Sequence, residues 1–397
     1  MDLATQRIGS KSLLHIELPF HACARRALSS VIFLDNEEKT VGKLVLPSLV
    51  LSISATQPSV FIAMLLLIDI GLSFNTPVGI TGQITTSAYV LGVVMAILMS
   101  VLSVRFKHKS LLVAGLALYS VSALGCFSAF SFSMMLVAFA LTGIGSALVG
   151  PMRSTLAADL YALDQRPRVI GWTVAGGSVA ALIGSPLVSY LASVGGWRLP
   201  FIALMFPISL VALVLAYVGI PFGSTKEELK VKYLDGFKSI FSNKSAVTCL
   251  VGTALAAAAW NGSLTYSMSF YRQQFGLETT WVSLLLSVMA LSYTVGAVWS
   301  GPLVNRFGRK RFTEYSVLFL ALTTIAYLNI GQAWFSSLVA CVSCIVAGFT
   351  DSSLVSLNLE QAPDNRGSMM SLSQATYMLG STMGTGLGGL ILLMFTY

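Results

Sequence analysis

The chain has 397 residues, of which 55% are hydrophobic and only 10% charged, and its mean hydropathy is +0.79. A soluble domain carries roughly 25% charged residues, so the composition excludes a soluble globular protein and predicts an all-α, polytopic membrane protein. The net charge of +8 would suit a nucleic-acid partner only if the cations were clustered, and they are spread over loops.

Residues 1–43 are polar to mixed and are read as a cytoplasmic leader. Within them Pro19 to Leu34 is amphipathic at best. It is too short to span and has no small-residue cleavage site after a clean apolar core, so it is not read as a signal peptide. An interfacial helix and a disordered leader both fit.

Eleven apolar runs follow, each long enough to cross about 30 Å of hydrocarbon. They are predicted at Leu44–Ile70, Gly82–Val104, Leu111–Phe130, Met134–Ser154, Ile170–Val194, Pro200–Ile220, Ala246–Phe270, Trp281–Val304, Phe312–Ile330, Trp334–Leu357 and Ser368–Phe395. The longest connection, 221–245, is charged. It divides the chain into a six-helix bundle over 44–220 and a five-helix bundle over 246–397.

Of the 24 Lys and Arg residues, all but Arg198 and Arg272 fall in the leader, in the middle loop or in alternate short loops. Cytoplasmic loops carry the excess of Lys and Arg. The amino terminus is therefore predicted to be cytoplasmic and, with an odd number of spans, the carboxyl terminus outside.

Enzymatic chemistry has no footing. The three histidines (His15, His21 and His108) share no ligand spacing and are predicted outside the bilayer, and no metal or cofactor site is expected. Cys341 and Cys344 lie one turn apart in an apolar run, which suits packing better than redox chemistry. No Gly-x-x-x-x-Gly-Lys-Ser/Thr loop is present to cradle ATP phosphates.

The stretch "GPLVNRFGRKR", Gly301 to Arg311, has a worn copy 201 residues upstream. Leu102, Arg105, Phe106 and Lys109 match Leu303, Arg306, Phe307 and Lys310. Parallel repeats of six helices are one transporter architecture. Glycine suits the tight turn, and Arg306, Arg309 and Lys310 are expected near helix ends, opposing a carboxyl-terminal dipole.

Through Gly301, Leu303, Arg306, Gly308, Arg309 and Lys310, with Asn305 in the acid position, the second copy resembles the signature loop of the major facilitator superfamily. "TGIGSALVGPMRSTLAADL" is similar to its fourth-helix region, with Phe139 in the usual arginine position. "GWTVAGGSVAALIGSPL" is similar to the glycine-rich fifth helix of its antiporter branches. The order of motifs looks most like the drug-antiporter-like branch. The resemblance implies a two-bundle fold with alternating access, here with about eleven helices and without the usual twelfth. It also implies a loop, Gly301 to Lys310, that latches one conformation; a bare topology anchor is the alternative.

The resemblance further implies that the first, fourth, seventh and tenth helices line a central cavity. Gln57, Phe139, Trp260, Asn261 and Tyr266 are the candidate cavity residues. Pro58 frees the carbonyl of Ser54, and a broken polar helix is where transporters place substrate contacts. Single Ser and Thr residues are expected to bond their own backbone. Asp351, well inside the tenth run, is the candidate for coupling to protons, because intramembrane charge is expensive. Asp69 and Arg153, near span ends, are expected to snorkel. Gly176, Gly177, Gly184, Gly380 and Gly384 are expected to permit close helix packing.

The function expected is a plasma-membrane permease that moves a small, amphipathic solute, with proton-coupled efflux as the leading mode. The partners expected are that solute, protons and the lipid bilayer, and the state a monomer. A facilitative uniporter, and a non-transporting relic or sensor, remain as alternatives.

Overall fold

The computed structural model describes residues 43–161, 165–221, 239–362 and 366–394. The predicted leader, most of the middle loop and Phe395 lie outside the described residues. The first predicted span is three helices, α1 (Val45–Ser54), α2 (Gln57–Leu65) and α3 (Leu67–Phe74). Pro58 sits in the first turn of α2, where its missing N–H is harmless. A second break at Leu66, with φ −108° and ψ 14°, separates α2 from α3. The short α4 (Val78–Thr81) leads into α5 (Gln83–Arg105).

Next come α6 (His108–Phe127), α7 (Phe132–Leu160) and α8 (Arg166–Gly195). A π turn over Phe201–Met205 opens α9 (Phe206–Gly219). The second half holds α10 (Lys244–Phe275), α11 (Thr279–Phe307), α12 (Arg309–Asn329), α13 (Ala333–Gln361) and α14 (Arg366–Met394). Among the described residues, two helix starts are capped by side chains. Ser131 accepts from the Met134 N–H at 3.2 Å, and Asn243 accepts from the Ser245 N–H at 3.0 Å.

Among the described residues, 10 helices are long and apolar enough to cross a membrane. The ninth predicted span, α12, is not one of them. Its first turns carry Arg309, Lys310, Arg311 and Glu314, which dilute its hydropathy. Even so, Tyr315, Leu318, Phe319, Leu322 and Ile325 stand exposed at helical spacing on one face, while the helix packs along α13.

Helix pairings recur six spans apart. The third and fourth spans, α6 and α7, pack together as the ninth and tenth, α12 and α13, do. The second packs on the fourth (α5 on α7) as the eighth packs on the tenth (α11 on α13). The first packs on the fifth (α1 on α8) as the seventh packs on the eleventh (α10 on α14). The seams between the halves follow the same rule: α5 lies against α14, and α8 lies against α11.

Close approach at these seams requires small residues. A Cβ on Gly380 would overlap the Ala254 carbonyl, and one on Gly384 the Ala258 carbonyl, so α14 lies backbone to backbone on α10. Gly176 lies against Val50, Gly177 against Ile53 and Gly184 against Phe61, which docks α8 onto α1 and α2.

The signature-like loop corrects one expectation. Arg306 lies in the last turn of α11, where a cation opposes the helix dipole. Arg309 and Lys310, however, open α12 and stand at its positive end. The Glu360 carboxylate, at the end of α13, reaches Arg309 at 3.3 Å and offsets that placement. Gly308 turns the chain at φ 80°, a conformation that disfavours a side chain. Gly301 sits within α11 with open space beside it, so packing does not demand a glycine there.

Candidate functional site

A cavity of about 270 Å³ opens within the second half. Its polar lining comes from four helices: Thr253 on α10, Tyr293 on α11, Asp351 and Asn358 on α13, and Ser373, Gln374 and Tyr377 on α14. Asp351, Leu354, Val355 and Asn358 all line it. Their spacing of i, i+3, i+4 and i+7 puts them on one face of α13. Asp351 is ten residues from the end of α13, about 15 Å along the axis, so it belongs to the helix interior.

The cavity has one acid and no Lys, Arg or His in its lining. Asp351 Oδ2 accepts a hydrogen bond from the Tyr293 hydroxyl at 2.8 Å. Among the described residues no cation pairs with that carboxylate.

Asn358 is fully buried. Its Nδ2 donates to Thr253 Oγ1 at 3.0 Å and to Ser373 Oγ at 2.9 Å. The Thr253 hydroxyl donates in turn to the Cys249 carbonyl at 2.9 Å, so toward Asn358 it can only accept. That fixes the amide orientation and leaves Asn358 Oδ1 as a buried acceptor with no donor.

At the other end of the cavity a polar chain leads into the first half. Asn261 Nδ2 donates to the Tyr377 hydroxyl oxygen at 3.1 Å, and the Tyr89 hydroxyl on α5 donates to Asn261 Oδ1 at 3.3 Å. Beyond it the Tyr266 hydroxyl donates to the Thr385 carbonyl at 2.9 Å, with its ring beside Gly82, Gly388 and Gly389. Thr86 and Thr385 join α5 to α14 at 3.0 Å. Ser185 on α8 donates to the Ser283 carbonyl on α11 at 2.8 Å.

The end of α10 away from Thr253 and the cavity carries Arg272. Its guanidinium forks onto both oxygens of Asp69 on α3, at 2.5 and 3.2 Å. It also donates to the Leu65 carbonyl at 3.1 Å, beside the break at Leu66. Arg198 works at the same end of the molecule: it donates to the Ala129 carbonyl at 2.8 Å and lies 4.2 Å from the Trp197 ring.

Of the residues singled out from sequence, Asp351 lines the cavity, and Asn261 touches it through Tyr377. Tyr266 braces the seam. Phe139 and Trp260 are buried in packing, and Gln57 opens α2 half-buried. The hydroxyls of Ser52, Thr56, Ser59 and Thr142 bond carbonyls three residues back along the chain, which is their ordinary use in membrane helices. Tyr293, Asn358 and the Asp69–Arg272 pair went unnoticed in the sequence. The one signal for that pair was that Arg272 is one of only two cations, with Arg198, on the side with few cations.

The sequence profile of the Major Facilitator Superfamily matches residues 48–393. The MFS-type transporter YceJ of Bacillus subtilis is 23% identical over 314 residues, covering 77% of this chain and 78% of that one. The transporter YgaY of Escherichia coli O157:H7 is 28% identical over 264 residues, 66% of this chain and 62% of that protein's length. A probable sugar efflux transporter of Pasteurella multocida is 24% identical over 84% of this chain and 81% of its own. Among solved structures, a bacterial homolog of the human lysosomal transporter Spinster, in an inward-facing and unoccupied conformation, superposes with a TM-score of 0.74. It is 18% identical, over 88% of this chain and 82% of that one. The family and these relatives are membrane transporters, not enzymes. With its apolar helices and a profile match that runs nearly end to end, the chain is a multi-pass membrane protein belonging to the Major Facilitator Superfamily.

Proposed function

We propose that the protein is a plasma-membrane secondary transporter that carries a small amphipathic solute by alternating access, with the two halves rocking about the α5–α14 and α8–α11 seams. The observation that carries this reading is the contrast between the two ends. Arg272 and Asp69 tie α10 to α3 at one end, while the cavity below Tyr377 runs toward the other, where Thr253 and Asn358 lie. The distribution of Lys and Arg supports reading the cavity end as the cytoplasmic one. The arrangement is therefore that of an inward-facing state closed on the outside. The lining mixes Leu354, Val355 and Met370 with amides and hydroxyls, which suits an amphipathic solute and not a polyanion.

Asp351 is the coupling group in this reading. A carboxyl group in a helix interior, held by one tyrosine hydroxyl, can take up and release a proton as the cavity changes sides. Proton-coupled efflux therefore stands ahead of facilitated diffusion. Reconstitution into vesicles with an imposed pH gradient tests both parts. Solute flux should follow the gradient in the wild type and lose that dependence in Asp351→Asn. Flux indifferent to the gradient would leave a uniporter. A Ser373→Cys variant, labelled by an impermeant maleimide from the inner face only, would support the orientation; labelling from the outer face would reverse it.

A further inference from the structure

We propose that the seam between α8 and α11 sets the protein's fit to its membrane: two aromatic rims there match a thin bilayer, one whose hydrocarbon core is no thicker than about 27 Å. The proposal stands on the membrane-spanning fold and not on the transport reading.

Three observations carry it. The first is spacing. On α8, Trp172 and Tyr190 are 18 residues apart, and on α11 so are Trp281 and Trp299. Eighteen residues are five full turns, about 27 Å along the axis. The two rings of each helix therefore stand on one face. Helix side chains lean toward the amino terminus, which moves both rings of a helix the same way and leaves their separation unchanged.

The second is register. Ser185 and Ser287 share a hydrogen bond at 2.7 Å, and Ser178 and Thr294 share one at 3.1 Å. Residue numbers rise along α8 as they fall along α11, so the two helices are antiparallel. Counting outward from these contacts brings Tyr190 level with Trp281 and Trp172 level with Trp299, to within one residue. The four rings thus form two rims, one toward each end of the seam.

The third is what lies between the rims. Val179 and Ile183 on α8 are exposed, and so are Leu284, Val288, Leu291 and Val295 on α11. Tyr190, Trp281 and Trp299 are exposed with them, and Trp172 is half-buried. Neither helix has a charged residue between its two aromatics. The first charges beyond them are Arg168, Arg198, Glu278 and Arg306.

Trp and Tyr settle at the two membrane–water interfaces. An uncharged apolar band between two level pairs of such rings is the profile of a bilayer. A protein partner would not call for a fixed distance between them. An average hydrocarbon core is about 30 Å thick. The rims allow about 27 Å with upright helices, and about 25 Å at the average tilt of ~20°. The helices themselves are 30 and 29 residues long, so their length does not impose this limit.

The test is thermal unfolding of the purified full-length protein in vesicles of single phosphatidylcholines: dimyristoleoyl, dipalmitoleoyl, dioleoyl, dieicosenoyl and dierucoyl. Small-angle X-ray scattering gives the hydrocarbon thickness of each. Mismatch costs stability for every Å. The unfolding midpoint should be highest in the bilayer nearest to about 25–27 Å and lower by several degrees in dierucoyl vesicles. A maximum in any other bilayer of the series, or a midpoint indifferent to thickness, would overturn the proposal. Removing one rim, Trp172→Leu together with Trp299→Leu, should move the maximum to a thicker bilayer, because the next charges at that end are Arg168 and Arg306. An unchanged maximum would show that the rims do not set the fit, and would overturn it as well. The wild-type series decides the matter even if the double variant does not fold.

Discussion

Arg272 of α10 holds Asp69 of α3 with both arms of its guanidinium and, through a third bond at 3.1 Å, caps the Leu65 carbonyl at the break in the first span. The Asp69 side chain is 34% exposed and that of Arg272 16%, so water screens the pair only partly. Bidentate geometry adds strength to such a pair. In the alternating-access reading proposed above, an outward-facing state must open this contact. Arg272→Gln should therefore shift the population toward outward-open forms, and Asp69→Asn should do so less, because the Leu65 contact survives. Spin labels at Asn75, just past α3, and Glu278, just past α10, would read the shift as a longer distance. Unchanged distances in both variants would mean that the pair braces the fold and is not a gate.

The α10–α14 contact predicts a sharp contrast among glycines. At Gly380 and Gly384 a Cβ would run into a backbone carbonyl, which cannot swing aside as a side-chain tip can. Gly380→Leu should lower thermal stability in detergent by more than about 2 kcal/mol, as overpacked cores do. Gly301→Ala, in an open stretch of α11, should be neutral or gain up to about 1 kcal/mol from helix propensity. Gly308→Ala should lose about 1 kcal/mol, because it holds φ 80°. Thermal melts of the three variants give the order directly.

Two side-chain contacts, one in each half, share one register. His108 Nδ1 meets Asp159 at 2.8 Å at the end of the fourth span, and Arg309 meets Glu360 at 3.3 Å at the end of the tenth. Both members are displaced by the 201 residues that separate the two loop copies. The first-half loop has thus lost its glycines and acid but kept the side-chain contact, with histidine in place of arginine. Both pairs are substantially exposed, so double-mutant cycles on each should give coupling of no more than about 1 kcal/mol. His108→Arg should preserve the first pair and fold normally. A coupling of several kcal/mol at either pair would mark it as a fastening of the fold, beyond an ordinary surface contact.

Much of the architecture was legible because lipid leaves few choices. Runs of apolar residues had to be helices, and Pro58 had to interrupt the first of them. Asp351 stood out because a carboxylate is costly in a helix interior. The composition of the cavity was not legible. Helical spacing told which residues of α10 share a face, but not that the Asn261 face turns toward Tyr89 and Tyr377 while Thr253, two turns away, meets Asn358. Tyr293 sits on a helix outside the four expected to line the cavity, and Asn358 falls one residue past the predicted tenth span, in the part of α13 that runs on to Gln361. Asp69 and Arg272 each read as an interfacial charge, and their pairing depends on the meeting of the first and seventh spans, which no local pattern encodes.

Asn261 offers the strictest test of that geometry. Its amide joins hydroxyls from two other helices, Tyr89 on α5 and Tyr377 on α14, and is itself only 7% exposed. Replacing one partner of a buried network leaves the others unsatisfied, at about 1–3 kcal/mol for each stranded group. Removing all the polar partners together is far milder, because nothing is left unpaired. Asn261→Leu alone should therefore lower the melting temperature markedly. The triple variant Tyr89→Phe, Asn261→Leu, Tyr377→Phe should recover most of that loss, although it deletes more hydrogen bonds. A triple variant no more stable than Asn261→Leu would show that Asn261 matters for its shape and that the bridge between the halves contributes little.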